Sequence, residues 1–486
     1  YFNRIFRNTD VTSSSDPVAD TLVGSNEKFN FYDITAKLLY NISGKDKLRI
    51  SFLRVFNTIN YEENALVNNE LESKTSGLEQ QTTASSIVYR RLWSDKLVTT
   101  AQLYFSGYEL GAINFDVLND QRLIQENKIL DTGLKLDARI ALSNTLDLFT
   151  GYQLFEVGIT NLVDINNPTY RRLIKRVLRS HAAFAEGNYS SGSGNTNLRL
   201  GLRANYFEKF NRFILEPRLA FNQRFFDHFS FEVLGEMKSQ TTTQVIDLQN
   251  DFLGVEKRRW VLANEDDIPV VESKQVSAGL RYQQANFLVS LDGYIKQVNG
   301  ITSSSQGFQN QFQYVRSSGA YEVSGLDFLI NQRIGKFTTW LSYSYAENTY
   351  EFSEFIPPVF PNNLDIRHTT TFGSSFQTKN FQLSAGLNWR TGKPYTVGTD
   401  IIDGKIVYEN PNNSRLDDYL RIDLSAKYLF QFSKSVRGEI GASLWNILDN
   451  QNIVNIYFQV DENGNLETIQ QSALGFTPNF MFRVSF

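Results

Sequence analysis

The last eleven residues, FTPNFMFRVSF (476–486), decide the fold. Apolar side chains recur there at every second position, at Phe480, Phe482, Val484 and Phe486. Successive side chains of a strand point to opposite faces, so the segment has one apolar face and one mixed polar face. A strand on a soluble core and a strand between lipid and water both fit this pattern. The interpretation therefore depends on whether the pattern repeats.

The same alternation recurs in other segments, with apolar residues on one face and polar or charged residues on the other. These segments are FQLSAGLNWR (381–390), YLRIDLSAKYLF (419–430), KQVSAGLRY (274–282) and VRGEIGASLW (436–445). No helical period competes with the alternation over these windows. The repetition favours an all-β protein with many two-faced strands.

The composition excludes a helical membrane protein and permits a transmembrane barrel. The 486 residues include 38 Phe and 23 Tyr, yet mean hydropathy is −0.32 and 21% of residues are charged. No apolar run approaches the ~20 residues that a spanning helix needs. Strands of a membrane barrel need only about 10 residues and alternate lipid-facing with lumen-facing side chains, which leaves average hydropathy ordinary.

Several function classes lose support at this stage. A net charge of −4 and a pI near 5.7 give no reason to expect a nucleic-acid partner. The absence of Cys rules out disulfides and thiolate metal sites. His181, His228 and His368 are too scattered for a histidine metal site, and no catalytic constellation is apparent. We therefore expect no cofactor and no enzyme activity.

The connections between these strands alternate in length. Short turns are predicted at 44–47, 95–96, 144–145, 192–195, 226–228, 285–286, 335–336, 379–380 and 433–435. Long polar loops are predicted at 57–82, 109–128, 160–178, 239–273, 299–311, 350–363, 393–414 and 448–476. Short turns at one end and long loops at the other are typical of outer-membrane barrels, in which the short turns are periplasmic. A propeller should repeat a fixed motif, and none is found.

The fold class predicted is a transmembrane antiparallel β-barrel of about 20 to 22 strands, with short periplasmic turns and long extracellular loops. Counting with residues 1–8 as the first strand gives about 20 strands, and 22 if a first hairpin is missing. Residues 1–486 are expected to form this single domain. Because the chain begins at Tyr1 without Met, we expect it to be truncated on its N-terminal side.

Some loops have further sequence signals. Asp403-Gly404 and Asn463-Gly464 predict tight hairpins, so their loops are expected to be ordered ribbons. The basic stretch YRRLIKRVLR (170–179) fits an anion or lipopolysaccharide contact, or a solvated face. The loop aromatics are interpreted as ligand-stacking groups, as part of the interfacial girdle or as packing within loops; they are Trp260, Tyr350, Phe352, Phe355 and Phe360.

Segments near the C-terminus resemble the barrel of TonB-dependent outer-membrane receptors. RTGKPYT (390–396), RLDDYLRIDLSAKYLF (415–430) and LWNILDNQN (444–452) are similar to elements of that barrel in their order and in their distance from the end. The terminal FMFRVSF, with Phe480, Phe482, Val484 and Phe486, resembles the signal by which the barrel-assembly machinery recognises its clients. Weaker similarities extend upstream through 272–282, 214–222 and 31–52, so the resemblance covers most of the chain.

The resemblance implies a bacterial outer-membrane receptor with defined partners. It implies coupling to the TonB complex through an N-terminal plug domain, and nothing in this chain corresponds to the plug. Among these receptors, the chain most resembles those that work with a surface lipoprotein to import oligosaccharides or peptides. Outer-membrane lipid and lipopolysaccharide are the other expected partners.

The polar faces of the strands suggest where a plug or a substrate is contacted. By alternation, ten charged side chains are expected to face the lumen: Arg281, Asp292, Lys296, Arg390, Arg421, Asp423, Lys427, Arg437, Glu439 and Arg483. A wall of mixed charge suits packing on a polar plug through ion pairs, and direct contact with substrate is the alternative role.

Two hypotheses on function remain. The first is a TonB-dependent transporter that imports a nutrient, an oligosaccharide, a peptide or a siderophore-like ligand, through a plugged lumen. The second is a non-transport accessory or scaffold barrel of the same descent within an outer-membrane complex. A plain porin is disfavoured by the strand count.

Overall fold

A computed structural model of the chain describes residues 22–67, 70–116, 121–244, 246, 260–266, 268–303, 317–402, 405–433, 436–460 and 464–486. Most of these residues belong to one antiparallel sheet in which each long strand pairs with the next long strand along the chain. This sheet is the wall of a transmembrane β-barrel, and the predicted fold class is confirmed. The strand predicted at residues 1–8 lies outside the described residues, and no pairing joins the first and last described strands within them.

The strands are numbered in chain order. The wall consists of β1 Leu22–Asn41, β2 Asp46–Val67, β3 Glu70–Ser94, β4 Leu97–Asp116, β5 Gln121–Ala141, β6 Leu146–Ile165, β7 Tyr170–Ser190, β8 Thr196–Phe207, β9 Arg212–Phe225, β10 Phe229–Gln240, β13 Val271–Gln284, β14 Phe287–Ser303, β15 Ser317–Ile334, β16 Phe337–Glu351, β18 His368–Gln377, β19 Phe381–Arg390, β24 Tyr419–Gln431, β25 Arg437–Trp445 and β28 Thr477–Ser485. The connections contain β11 Thr242–Gln244, β12 Trp260–Leu262, β17 Val359–Pro361, β20 Pro394–Tyr395, β21 Gly398–Ile402, β22 Lys405–Tyr408, β23 Ser414–Arg415, β26 Ile453–Val460, β27 Leu466–Ser472 and the 3-10 turn Glu208–Phe210.

Each predicted short turn falls at, or within two residues of, a connection between successive wall strands. Three predicted long loops are wrong, because 57–82, 109–128 and 160–178 are mostly continuations of strands. Strands β2 and β3 have 22 and 25 residues, about twice the length that crosses a bilayer. Their polar outer halves were mistaken for loops because strands that leave the membrane lose the lipid-facing apolar row while their hydrogen-bonded ladder continues.

Both loops predicted to contain hairpins do contain a pair of antiparallel strands, whereas the predicted turn residues Asp403, Gly404 and Asn463 lie outside the described residues. Strands β21 and β22 pair with Ile402 opposite Lys405, and β26 pairs with β27 with Val460 opposite Leu466. Gly464 has a φ of +79°, a conformation that glycine adopts without steric cost. Among the described residues, no helix has the length and apolarity needed to cross a bilayer.

The buried apolar side chains gather at the end of the wall with the long connections, here called the outer end. The largest cluster joins strands β6 to β9 to the loop before β13, and a second joins β14, β16 and the loop after β16. Nearer the short turns, apolar side chains such as Leu200, Ile295, Leu383 and Phe482 are exposed on one face of the sheet, here called the apolar face. The surroundings explain why apolar side chains are buried at the outer end and exposed nearer the short turns. Within the membrane the apolar face contacts lipid, and only the outer end can form an internal core.

Candidate functional site

The polar face of the last strands carries a connected group of charges. The Nζ of Lys427 on β24 lies 3.1 Å from one carboxylate oxygen of Glu439 on β25, and the other oxygen lies 3.7 Å from Arg483 on β28. Glu439 pairs in register with Arg483, so the three side chains share one face of neighbouring strands. The Lys427 and Arg483 side chains remain 42% and 63% exposed, which leaves both cations able to meet a further polar surface.

A second group lies nearer the outer end of the same strands. The Nε of Arg421 donates to Asp423 at 2.8 Å, and the Arg421 guanidinium lies 5.1 Å from the ring centre of Trp445. Asp423 also accepts the backbone N–H of Asn446 at 2.9 Å. Arg390 on β19 stacks on the ring of Tyr419, at 4.5 Å. This group therefore ties the charged wall to the loop that follows β25.

The remaining predicted wall residues lie on other strands or make fewer contacts. Arg281 donates to Gln283 at 2.8 Å on β13. Asp292 on β14 lies against Gly279 and opposite Asp327. Lys296 pairs in register with Gln275, and Arg437 with Ser485. The ten residues thus fall into two groups, one on β13 and β14 and one on β19 to β28, and they do not form a single site.

A buried carboxylate holds two outer loops together. Asp365, with no exposed surface, accepts from the Nε of Arg367 at 3.0 Å and from Arg415, a residue of the loop between β19 and β24. Its Oδ1 accepts the backbone N–H of Asn348 at 2.8 Å, and its backbone carbonyl accepts from Arg415 at 2.6 Å. Asp365 therefore links the outer end of β16 to both neighbouring loops. This cluster is called the Asp365 clamp.

Two groups beside the clamp have displaced pKa values. Burial opposes protonation of Arg367, but its hydrogen bond to Glu347 and the charge of Asp365 raise the pKa of Arg367 above its usual range. Burial raises the pKa of Tyr350, and the neighbouring Tyr321 adds to this rise. Arg367 therefore stays charged, and Tyr350 stays neutral, at any pH near neutrality.

The connection between β10 and β13 folds back onto the polar face of the wall. Asn127 on β5 donates to the carbonyl of Trp260 at 3.0 Å and accepts the Trp260 N–H at 3.0 Å, while Asn161 on β6 donates to the same carbonyl at 3.1 Å. Leu262 and Val270 pack into the largest buried cluster. This segment, residues 260–266 and 268–270, is called the strap, and it covers the inner side of the wall at its outer end.

A third cluster fixes the loop between β25 and β28. The fully buried Asn446 donates to the carbonyls of Asn450 and Leu474, at 2.9 and 3.2 Å. Asn452 exchanges hydrogen bonds with the backbone of Leu420 on β24, and Asp449 accepts the N–H of Phe476. These side chains replace the backbone pairing that strands would supply, so the loop has a defined course.

The five aromatics considered for ligand stacking, for the interfacial girdle or for packing within loops all pack in or against a hydrophobic cluster. Phe352, Phe360 and Tyr350 are 0%, 3% and 6% exposed and form one cluster, against which Phe355 packs. Trp260 is half-buried and packs on the strap's cluster. In this conformation the three buried rings have no free face for a ligand, so packing within loops is the role that the geometry supports.

The basic stretch 170–179 is part of β7, so its charges alternate between faces. Arg171 lies 3.6 Å from Asp164, Arg176 lies 4.0 Å from Asp266, and Arg179 donates to Glu156 at 2.7 Å. Three of the five basic residues therefore have a neighbouring carboxylate, and the stretch does not form a single basic patch.

The three histidines each have a local partner. His181 contacts Tyr152 and Glu208, both at 2.6 Å, and His368 contacts the hydroxyl of Tyr343 at 2.8 Å. His228 packs against the ring of Tyr282 at the short-turn end. They lie on separate strands and connections.

The residues missed in the sequence are the buried Asp and Asn side chains of the outer end: Asn127, Asn161, Asp365, Asn446 and Asn452. Their signal is weak, since Asn and Asp near strand ends are also turn formers. Only their density, as in PNNLD (361–365) and NILDN (446–450), indicates that so many backbone groups must be bonded by side chains.

A family model described as "TonB dependent receptor-like, beta-barrel" matches residues 7–447. A search of curated proteins gives no match. Solved structures of similar fold include the ferric enterobactin receptor of Pseudomonas aeruginosa, at 14% identity and a TM-score of 0.62 over 97% of this chain and 71% of that one.

Two further structures have the same fold. The ferric citrate transporter FecA shares 9% identity, with a TM-score of 0.62 over 96% of this chain and 76% of that one. The iron transporter FrpB from Neisseria meningitidis shares 11% identity, with a TM-score of 0.60 over 95% of this chain and 80% of that one. At these identities the likeness concerns the fold.

Proposed function

The chain belongs to the TonB-dependent receptor β-barrel family of the bacterial outer membrane, and we propose that it is the wall of an active transporter that imports a nutrient through a plugged lumen. The proposal includes coupling to the TonB complex through the plug. It also includes a surface lipoprotein at the outer loops and the barrel-assembly machinery, which would bind the last strand during biogenesis.

The observation that carries this proposal is the charged wall around Glu439. Lys427 and Arg483 contact Glu439, yet large parts of both side chains remain exposed on the polar face. In a barrel whose apolar face contacts lipid, this polar face lines the lumen. A barrel of about 20 strands is wide enough to leak, and a polar plug would both seal it and supply partners for these cations.

Ligand recognition is assigned to the outer end. The Asp365 clamp, the strap and the cluster around Asn446 fix the course of three connections, so the outer surface has a defined structure. Because the aromatic cluster is buried, recognition would rely on exposed polar groups of these loops. A ferric chelate is the first cargo to test, since two neighbours are named for ferric enterobactin and ferric citrate; an oligosaccharide and a peptide follow.

The test is uptake of labelled ligand by cells that carry the protein, with and without collapse of the proton gradient. Transport predicts accumulation that stops when the gradient collapses. Ligand binding without accumulation, for every class of ligand, would contradict transport and support the accessory or scaffold barrel.

A variant tests the charged wall itself. Glu439→Lys removes the carboxylate between Lys427 and Arg483 and places three cations together, so the plug should be retained less well and the membrane should become permeable to small antibiotics. Asp417→Asn, an exposed loop substitution, is the matched control. Equal permeability of the two variants would contradict a plug packed on this wall.

A further inference from the structure

The wall contains a seam between β9 and β10. Their backbone pairing runs from the short turn up to Glu236 opposite Arg218 and then ends. Strand β9 continues to Arg212 paired only with β8, and β10 continues to Gln240 paired only with β13. Pro217, which has no N–H to donate, lies at the point where the ladder stops. Above it, the two strands present unpaired edges to each other.

Side chains bridge the seam where the backbone does not. Glu216, 4% exposed, accepts both the backbone N–H and the hydroxyl of Ser239 at 2.7 Å. Higher up, Arg212 donates to Glu272 of β13 at 2.6 Å. A carboxylate side chain and its hydrogen bond together span a longer distance than the ~4.8 Å that separates paired strands. The backbones of β9 and β10 are therefore farther apart here, and the wall is locally splayed. A cavity of about 630 Å³ lies in the splayed region.

On the apolar face, the seam widens into a groove. The groove has a volume of about 740 Å³, within the range of ligand cavities. Its apolar walls are the side chains of Leu200, Leu202, Leu219, Met237, Val276 and Ile295. Gly235 forms its floor, because this residue pairs with Leu219 on one side and Val276 on the other and has no side chain of its own.

The height of the groove places it in the outer leaflet. A tilted strand rises about 2.6 Å per residue along the membrane normal. Heights are counted from the short-turn end of each strand. Gly235 is six residues above Phe229, the first residue of β10, and so lies at about 16 Å. Lys274 is ten residues above Gln284, the last residue of β13, and so lies at about 26 Å. The apolar band of such barrels is about 25 Å tall. The groove therefore runs from mid-membrane to the outer head-group level.

Lys274 lines the head-group end of the groove. Its side chain is exposed and forms no ion pair with any residue that the structure describes. We propose that this groove is a lipid site that binds one acyl chain of an outer-leaflet lipid over Gly235, with Lys274 on the phosphate of the head group. The apolar lining and the cation at the upper end, unpaired among the described residues, match such a lipid. The site does not depend on which nutrient the lumen carries.

The test measures lipid binding to the delipidated protein in mild detergent. The probe is lysophosphatidic acid with a hexadecanoyl chain, and native mass spectrometry counts the bound molecules. One molecule per protein should bind at saturation. Monopalmitoyl glycerol, which has the chain without the phosphate, should bind about fivefold more weakly.

Gly235→Leu places a side chain in the groove, and the position accepts a Cβ, which would meet only the carbonyl of Gln275 at 3.9 Å. This variant should weaken binding at least tenfold. Gly293→Leu is the matched control on the same face, where an added Cβ also makes only ordinary contacts. Heat-modifiable gel mobility shows that each variant is folded.

Lys274→Gln should weaken binding of the phosphate lipid about fivefold and leave binding of the glycerol lipid unchanged. Equal binding by wild type and Gly235→Leu, or equal losses in Gly235→Leu and Gly293→Leu, would overturn the site. Equal effects of Lys274→Gln on both lipids would overturn the assignment of the phosphate to Lys274.

Discussion

The Asp365 clamp makes a quantitative prediction about the outer loops. Asp365→Asn keeps the shape of the side chain but removes its negative charge, so the contacts with Arg367 and Arg415 are no longer ion pairs. Hydrogen bonds to charged groups contribute about 1.5–3 kcal/mol each. The two arginine side chains are 29% and 35% exposed, so solvent screening reduces that figure. We expect a local loss of about 2–3 kcal/mol, or about 30- to 150-fold faster opening.

Hydrogen exchange measures this loss directly. The Asn348 N–H donates to Asp365 at 2.8 Å, so peptides covering 346–351 should exchange faster in Asp365→Asn. Asp417→Asn makes the same chemical change at an exposed position of a neighbouring loop and should change exchange by less than about threefold. Similar exchange in the two variants would refute the inference that the buried carboxylate holds the loops together.

Three other predictions concern separate parts of the wall. Asn127→Ala should loosen the strap by about 2 kcal/mol, because both backbone groups of Trp260 lose a partner, and proteolysis of the strap should accelerate; an unchanged cleavage rate would contradict its docking. Phe482→Ser should reduce the assembled, heat-modifiable fraction of the protein by removing a lipid-facing ring worth about 2 kcal/mol, whereas Met481→Ser on the opposite face should not. Asp46 at the first short turn has its pKa lowered by hydrogen bonds from neighbouring hydroxyls, so the turn should be stabilised above about pH 4 and lose that stability as pH falls further, a dependence that Asp46→Asn should abolish in hydrogen exchange of the turn.

Alternation in the sequence was sufficient to predict the wall because two solvents act on every strand that crosses the membrane. Segments such as 419–430 and 477–485 carry their faces in the residue types themselves, and short turns are marked by Gly, Asn, Asp and Lys. Outside the membrane both faces meet water, and the alternation fades while the strands continue. The outer halves of β2 to β7 were consequently predicted as loops.

The contacts between distant segments could not be predicted from alternation along the strands. Asp365 and Arg415 are 50 residues apart, and Asn127 and Trp260 are 133 apart, so no local pattern links them. Each pair also uses common turn-forming or charged residues whose default role is solvation. Their importance becomes visible only when the fold buries them, because a buried polar group must find a partner.

Pro217 links the alternation within one strand to the contacts between neighbouring strands. Within ILEPRLAFN (214–222) it leaves the apolar and polar alternation intact, so the segment is still predicted as a strand. A proline inside a strand nevertheless indicates an unpaired edge, and in a barrel every edge should have a neighbour. The structure resolves this conflict by ending the β9 to β10 ladder beside Pro217 and bridging the strands with Glu216. Gly235 on the facing strand leaves the adjacent outer surface unfilled. Since an unfilled apolar groove in the outer leaflet will be covered by the surrounding lipid, the same local exception that ends the backbone ladder also creates a shaped surface toward the membrane.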